Sequence, residues 1–186
     1  MELTKNYIRF THADFMQFPN DGKRHELIDG DHIATPSPVS KHQIASRNLL
    51  LALQSFVERE KLGEVFAAPF DVILSEFDTV EPDLIFIRAE RVRALVKDWV
   101  RGAPDLVIEI LSPSSEKIDR GLKKKLYEKY GIAEYWIVDP DAETIEVYVR
   151  RASGYRLVSR ARGKQSVKSE LFAGLTFVTA AIFRLS

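Results

Sequence analysis

The feature that most constrains the fold is an apolar block with one carboxylate inside it, followed by a helix and a second apolar block. Asp105–Leu111 is predicted as a central strand buried on both faces, with Glu109 as its charged member. A helix is predicted from Ser112 to Tyr130, closed by Gly131, and Tyr135–Val138 is predicted as another buried strand. A strand–helix–strand unit of this kind favours an α/β sheet.

The segments around this unit predict antiparallel pairing. His25–Ile33 is typical of a hairpin around an Asp-Gly turn. A long helix is predicted from Ser37-Pro38 to Gly63, with Ser37 as its N-cap and Pro38 in its first turn. Further short elements are predicted at Thr11–Phe18 (helix), Glu64–Ala68, Phe70–Ser75, Asp83–Ile87, Ala89–Lys97 (helix), Ile145–Arg150 and Tyr155–Ser159. We therefore expect an α/β fold with a mixed β-sheet flanked by helices, in a single domain.

Composition excludes several classes of protein. The chain has 186 residues, 45% hydrophobic and 29% charged, which suits one folded domain and excludes a disordered chain. The absence of cysteine excludes disulfide scaffolds, thiolate metal sites and cysteine nucleophiles. Met1–Phe10 has no apolar stretch of the kind found in signal peptides, and no apolar run approaches the roughly 18–20 residues of a membrane span. We expect a cytoplasmic protein with no membrane association.

Charge is balanced over the whole chain, at 27 Lys and Arg against 27 Asp and Glu. Between Glu146 and Glu170, however, every charged residue is basic. These residues are Arg150, Arg151, Arg156, Arg160, Arg162, Lys164 and Lys168. Such a segment either meets a polyanion or is the solvated face of a β-hairpin.

Two carboxylates lie where the pattern predicts a sheet. Glu109 interrupts a buried strand, and a lone buried carboxylate loses much hydration energy unless it is protonated or meets a cation. Asp83 follows Glu81-Pro82 and opens the apolar run Leu84–Ile87. Asp83 is either a strand-start residue beside a proline or a second carboxylate of a site.

The helix after Ser112 has charges on its apolar side. Its predicted apolar stripe consists of Ile118, Leu122, Leu126 and Tyr130. Asp119 falls inside the stripe and Lys123 at its edge, four residues apart and therefore on neighbouring turns. The two form a structural ion pair, or Lys123 reaches towards Glu109, since only a few residues join strand and helix.

Asp83, Glu109 and Lys123 together suggest a catalytic site. Two carboxylates on neighbouring strands make a site of hard oxygen ligands, which suits a divalent cation such as Mg²⁺. A bound metal ion polarises a phosphoryl oxygen and activates its water, and a nearby ammonium group positions that water and offsets negative charge. This combination predicts hydrolysis of phosphodiesters.

At these residues the chain resembles the PD-(D/E)XK nuclease superfamily, with its restriction-endonuclease-like fold, and more closely the Uma-type family of endonucleases. The resemblance covers most of the chain. It rests on His25–Gly30, Pro82-Asp83-Leu84, Pro104–Ser114, Asp119, Lys123, Tyr127 and Gly131–Pro140. The resemblance implies a Mg²⁺-dependent endonuclease, with Mn²⁺ as a substitute ion, that acts on nucleic acid, DNA being the expected substrate.

Carried over to this chain, the resemblance makes Asp83 and Glu109 the acidic metal ligands, and Ile110 would offer its backbone carbonyl to the ion. The chain departs from the superfamily pattern at Leu111, where a lysine is expected. In this family the lysine is moved to the following helix, where Lys123 matches it. The catalytic residues expected are therefore Asp83, Glu109 and Lys123.

Three further residues are weaker candidates for the site. His42 matches a family position, and it either touches the site or has a structural role. Glu26 matches a family glutamate, because in related nucleases an acid from the N-terminal region joins the metal site; otherwise Glu26 lies on the hairpin surface. Asp119 is the third additional candidate. Trp136 could stack on a base, but its buried-strand pattern favours core packing.

Three parts of the domain are expected: an N-terminal helix and hairpin (1–36), a nuclease core (37–140) and a C-terminal hairpin extension (141–186). Because related nucleases often pair to cut two strands, a homodimer is also expected. The alternative from another class is a non-catalytic binding or assembly module that keeps the fold, in which Glu109 and Lys123 form a buried ion pair. A hydrolase of small phosphorylated molecules is disfavoured because the chain has no phosphate-binding glycine loop.

Overall fold

Two β-sheets and the helices that flank them make up the computed structural model, which describes residues 8–185. Most of Met1–Phe10, from which no signal peptide is predicted, lies outside the described residues. The strands are β1 (Arg24–Ile28), β2 (Asp31–Thr35), β3 (Gly63–Ala67), β4 (Val72–Ile73), β5 (Thr79–Val80), β6 (Leu84–Arg88), β7 (Val100–Arg101), β8 (Leu106–Ile110), β9 (Glu134–Asp139), β10 (Thr144–Arg151) and β11 (Gly154–Arg162). The helices are α1 (His12–Phe15), α2 (Ser40–Glu60), α3 (Ala89–Leu95), a π-helix (Ile118–Lys123) that continues as α4 (Lys124–Lys129), and α5 (Thr179–Ile182).

The larger sheet has the strand order β11-β10-β9-β8-β6-β3, and the smaller has β2-β1-β5-β4-β7. In the larger sheet β8 pairs in parallel with β9 and antiparallel with β6. The prediction of an α/β fold with mixed strand directions is confirmed, although the strands are divided between two sheets. The three-part subdivision of the domain stays a prediction.

The central strands β6, β8 and β9 of the larger sheet are buried on both faces because their residues alternate between two hydrophobic clusters. On one face, Leu49 and Leu53 of α2 pack with Ile108 and Trp136, so the core role predicted for Trp136 is confirmed. On the other face, Leu126 and Tyr127 of α4 pack with the strand residues Val107, Tyr135 and Ile137. Glu109 is thus on the face that the π-helix and α4 cover, because it alternates with Ile108 along β8.

The structure corrects two predicted details of helices. The long helix α2 begins at Ser40 with Val39 at its N-cap, because the Ser37 hydroxyl donates a hydrogen bond to the carbonyl of Gly22 instead of capping the helix. Leu122, predicted in the buried stripe of the later helix, is 45% exposed. In residues 8–185, no helix is both long and apolar enough to cross a membrane.

A buried carboxylate ties the C-terminal segment to the larger sheet. Glu134, at the start of β9, is 1% exposed and accepts hydrogen bonds from four donors. These are the indole of Trp136, the hydroxyl of Ser169 and the backbone N–H groups of Glu170 and Leu171. Because Phe172 of this segment packs in the core, Glu134 holds a piece of the hydrophobic core in place.

We expect Glu134→Leu to lower the free energy of unfolding by about 3 kcal/mol or more, because several buried donors lose a charged acceptor. Urea denaturation of the variant measures the change. Glu64→Gln, at an exposed position of β3, is the control and should change stability by less than about 0.5 kcal/mol. Equal stability of Glu134→Leu and the wild type would show that the segment does not depend on this carboxylate.

Candidate active site

The residues singled out from the sequence line one cavity of about 180 Å³. Asp83 lies directly before β6, Glu109 and Ile110 end β8, and Lys123 ends the π-helix. Glu26 of β1, His42 of α2 and Asp119 of the π-helix line the same cavity. The exposed rim consists mostly of two loops, 36–39 and 112–115. Leu111 packs instead in the hydrophobic core, where it cannot replace a lysine.

Strand pairing explains why Asp83 and Glu109 are neighbours. Leu84 pairs with Ile108 in antiparallel register, so Asp83 falls beside Glu109 on the adjacent strand. One carboxylate oxygen of Asp83 accepts hydrogen bonds from the Ile110 N–H at 2.7 Å and from His42 Nε2 at 3.2 Å. Its other oxygen accepts from Arg24 at 2.9 Å.

Lys123 is surrounded by carboxylates. Its Nζ lies 2.8 Å from Glu26 Oε1, 3.1 Å from Glu109 Oε1 and 3.7 Å from Asp119 Oδ1. The Tyr127 hydroxyl donates a second hydrogen bond to Glu109 Oε1 at 2.5 Å. The sequence left two predicted partners open for Lys123, Asp119 and Glu109. The structure contains both contacts.

The π-helix accounts for the burial of these charges. Hydrogen bonding from i to i+5 widens the turn relative to an α-helix, and such segments are frequent at functional sites. Asp119 and Lys123 are 2% and 3% exposed, whereas Leu122 faces solvent. The burial of Asp119 and Lys123 therefore agrees with the predicted helical stripe, whereas the exposure of Leu122 does not, because the π-helical turn is wider than the α-helical period assumes.

Burial sets the direction of the pKa shift at Glu109 and Asp119, but not at Asp83. It raises the pKa of Glu109 to about 8, against the opposing charge of Lys123 and with the help of the neighbouring carboxylates. Burial likewise raises the pKa of Asp119 to about 6. Burial also acts to raise the pKa of Asp83, but the hydrogen bond from His42 and the charge of Arg24 outweigh it, so the pKa is lowered. The carboxylates of Glu109, Glu26 and Asp119 raise the pKa of Lys123 despite its burial.

The raised pKa of Glu109 makes the stability of the metal-free protein depend on pH. The folded state binds this proton more tightly than the unfolded chain, so the free energy of unfolding falls as pH rises from 4.5, the ordinary pKa, to about 8. Its slope is at most about 1.4 kcal/mol per pH unit for one group. Urea denaturation in EDTA, at several pH values roughly between 5.5 and 8, should show this fall in the free energy of unfolding. In Glu109→Gln the free energy of unfolding should depend less on pH. An unchanged slope in the variant would assign the dependence to another group.

The cavity fits a divalent cation in charge and in ligand type. Four carboxylates line it (Glu26, Asp83, Glu109 and Asp119), against the permanent cations Arg24 and Lys123. Oδ1 of Asp119 and Nδ1 of His42 are buried and have no hydrogen-bond partner among the described residues. No three His, Asp or Glu side chains within residues 8–185 are already arranged to hold a metal ion. Arg24 and Lys123 instead bond the carboxylates that would be its ligands.

Two residues that bond the site carboxylates, Arg24 and Tyr127, were not predicted as site residues from the sequence. Arg24 bonds Asp83 and also Glu81, whose Oε1 lies 2.9 Å from Arg24 Nε. Arg24 is two residues from Glu26, so the two-residue period of a strand places both side chains on one face. That period was the available signal for Arg24. Tyr127 entered only as a match to the family pattern, and nothing in the sequence indicated its bond to Glu109.

The basic residues after Glu146 lie mainly on the β10–β11 hairpin, as the solvated-face interpretation predicts. Two of these basic residues form ion pairs with the acidic residues at the two ends of the segment, Glu146 and Glu170. Arg160 bonds Glu146 at 3.0 Å, and Arg151 bonds Glu170 at 2.5 Å. Arg156 and Arg162 are exposed on β11. The hairpin therefore presents solvated cations.

Comparison with known proteins gives a family and a fold. The sequence model of the Uma2 family, described as "Putative restriction endonuclease", matches residues 12–181. A crystal structure described as "a putative nuclease belonging to DUF820", from Anabaena variabilis, superposes with a TM-score of 0.79 at 21% identity, covering 94% of this chain and 97% of that chain. At this identity the likeness shows the fold alone. None of the curated proteins compared with the chain matches it.

Proposed function

Because the chain belongs to the Uma2 family, we propose that it is a divalent-metal-dependent endonuclease that hydrolyses phosphodiester bonds of nucleic acid, with DNA as the expected substrate. The observation that carries the proposal is the gathering of Asp83, Glu109 and Lys123 in one cavity, although they are distant in sequence. A match to the family pattern does not require these three side chains to lie close together, whereas the proposed hydrolysis does.

The proposed metal ligands lie at the ends of two adjacent strands, β6 and β8. Asp83 supplies a carboxylate held by the Ile110 N–H, Glu109 supplies one from the end of the adjacent strand, and Ile110 offers its backbone carbonyl. When bound, the Mg²⁺ ion supplies Lewis-acid polarisation of a phosphoryl oxygen and activation of water. Mn²⁺ takes similar oxygen ligands and is expected to substitute.

The other residues of the cavity set charge and orientation. Lys123 donates hydrogen bonds from a fixed, buried ammonium group, and in the reaction it orients the attacking water and offsets charge on the phosphoryl oxygens. Tyr127 holds one oxygen of Glu109 in place. His42 orients Asp83, and Glu26 and Asp119 balance the charge of Lys123. His42, Glu26 and Asp119 are thus assigned positioning roles.

We further propose that the protein acts as a homodimer and that exposed cations of the β10–β11 hairpin contact phosphates. Duplex cleavage by one active site per chain requires two chains or two encounters, which favours a symmetric pair. Sedimentation velocity of the protein with and without duplex DNA tests the dimer. The formal net charge of zero predicts weak nonspecific affinity that falls further as salt rises.

Cleavage assays test the proposed function directly. Single-stranded, double-stranded and branched DNA are incubated with the protein in Mg²⁺, in Mn²⁺ and in EDTA. Cleavage in either metal and none in EDTA supports the proposal. If all three substrates stay intact in both metals, while calorimetry detects no Mn²⁺ binding, the enzymatic proposal fails.

One observation favours the non-catalytic alternative. Lys123 and Glu109 already form the buried ion pair that an inactive binding or assembly module would retain, at 3.1 Å. In that case a stable protein binds no Mn²⁺, and Asp83→Ala changes neither binding nor cleavage. Mn²⁺ binding that is lost in Asp83→Ala instead supports the enzyme.

A further inference from the structure

Of the two permanent cations that line the cavity, Arg24 is more exposed than Lys123 and bonds a different carboxylate. Its guanidinium group bridges two carboxylates, with Nη1 2.9 Å from Asp83 Oδ1 and Nε 2.9 Å from Glu81 Oε1. Its side chain is 18% exposed, compared with 4% for Lys123. Arg24 also pairs with Thr35, where β2 leads into the rim loop 36–39. It is therefore the permanent cation nearest to the cavity mouth, among the described residues that line it.

The contacts of Arg24 and Lys123 divide the negative charge of the cavity between them. Lys123 forms ion pairs with Glu26, Glu109 and Asp119, while Arg24 forms an ion pair with Asp83. A divalent cation coordinated by Asp83 would compete with the Arg24 guanidinium for the negative charge of that carboxylate. Two positive groups at one carboxylate repel, and the oxygen of Asp83 that faces Arg24 is already occupied.

We propose that Arg24 is the resident counter-ion of Asp83, that a divalent cation displaces it, and that the released guanidinium then binds a phosphate of the nucleic acid. This inference rests on the proposed function. A guanidinium group is suited to the second role because its planar fork matches phosphate oxygens in a bidentate arrangement. Glu81 keeps hold of Nε, so Arg24 would remain at the mouth after it leaves Asp83.

Calorimetric titration with Mn²⁺ alone separates this role from a structural one. If Arg24 competes with the ion, Arg24→Gln should bind Mn²⁺ about tenfold more tightly than the wild type, because no bond to a charged group has to be broken. Loss of a merely structural residue would loosen the site and weaken binding. Arg91→Gln is the matched control, because Arg91 bonds another buried aspartate, Asp105, at 2.7 Å outside the cavity.

Thermal unfolding and Arg24→Lys address the folding of the variant. Arg24→Gln should have a lower Tm than the wild type in EDTA, and the deficit should shrink in saturating Mn²⁺, since the ion has displaced Arg24 from Asp83 in the wild type as well. Arg24→Lys keeps the charge, so its Mn²⁺ affinity should stay within about threefold of wild type. It loses the fork, so KM for the oligonucleotide that the wild type cleaves should rise about tenfold, with a smaller change in kcat.

The outcomes separate the two proposals. Equal or weaker Mn²⁺ binding by Arg24→Gln overturns the counter-ion role while the metal-dependent function stands. Tighter Mn²⁺ binding with an unchanged KM in Arg24→Lys overturns the phosphate-binding role alone. A wild-type protein that binds no Mn²⁺ overturns the proposed function, and with it the role of Arg24.

Discussion

Replacing Lys123 by methionine is expected to destabilise the protein by about 3–5 kcal/mol at pH 8, because removing one partner leaves buried carboxylates without their cation. Glu26, Glu109 and Asp119 all lie within 3.7 Å of the Lys123 ammonium group and are at most 2% exposed. Methionine keeps most of the length of the side chain, so little of the loss comes from packing. Urea denaturation in EDTA measures the change in the free energy of unfolding.

The destabilisation of Lys123→Met should be relieved by acid. Protonation of Glu109 and Asp119, whose pKa values burial raises to about 8 and about 6, removes part of the negative charge around position 123, so the deficit at pH 5.5, a condition roughly below both values, should be clearly smaller than at pH 8. Lys125→Met, at an exposed position of α4, is the matched control and should leave stability within about 0.5 kcal/mol. A deficit that is the same at both pH values would mean that the lysine contributes through packing and not through charge.

Glu109→Gln is expected to reduce phosphodiester cleavage by at least about a thousandfold, because metal coordination at a phosphoryl oxygen is worth several kcal/mol and each 1.36 kcal/mol is about tenfold in rate. The variant should nevertheless fold. Glutamine resembles the protonated carboxyl group that burial favours at this position, where the pKa is raised to about 8. Cleavage rates and Mn²⁺ affinity are measured on the same preparation, and both should be lost together.

Asp105→Asn is the matched control for the loss of activity. Asp105 is a buried aspartate directly before β8, at the opposite end of the strand from Glu109, and it does not line the cavity. Its variant is expected to keep Mn²⁺ binding and cleavage, whatever its effect on stability. Cleavage by Glu109→Gln at the wild-type rate would remove Glu109 from the mechanism and favour the non-catalytic alternative.

The positions of Asp83 and Glu109 could be predicted because each breaks a local pattern. A charge inside a buried strand costs hydration energy, so Glu109 stands out among apolar neighbours without reference to the rest of the chain. Mixed strand directions and the core role of Trp136 also followed from local periodicity. For the long, strongly apolar segments, the predicted first and last residues of each strand lie within a few residues of those in the structure.

The details that were wrong depend on longer-range contacts. Ser37 was expected to cap α2, but its hydroxyl finds the carbonyl of Gly22, a residue of another segment. Leu122 was expected on the buried stripe beside Asp119 and Lys123, but in the π-helix Leu122 is exposed while the two charged residues are buried as predicted. An α-helical period cannot anticipate the exposure of Leu122, because the energy gained by pairing buried carboxylates with Lys123 comes from strands far along the chain.

The sequence by itself determined the α/β class, the buried strand carrying Glu109 and the candidate carboxylates, since burial patterns and misplaced charges are local properties of a chain. Tertiary structure alone decided that Glu26 joins Lys123, that His42 and Arg24 bond Asp83, and that Tyr127 bonds Glu109. The physical reason is that a buried charge must find an opposite charge or a hydrogen bond within about 3 Å. Which partner lies that close depends on how β1, α2 and the π-helix pack on the larger sheet.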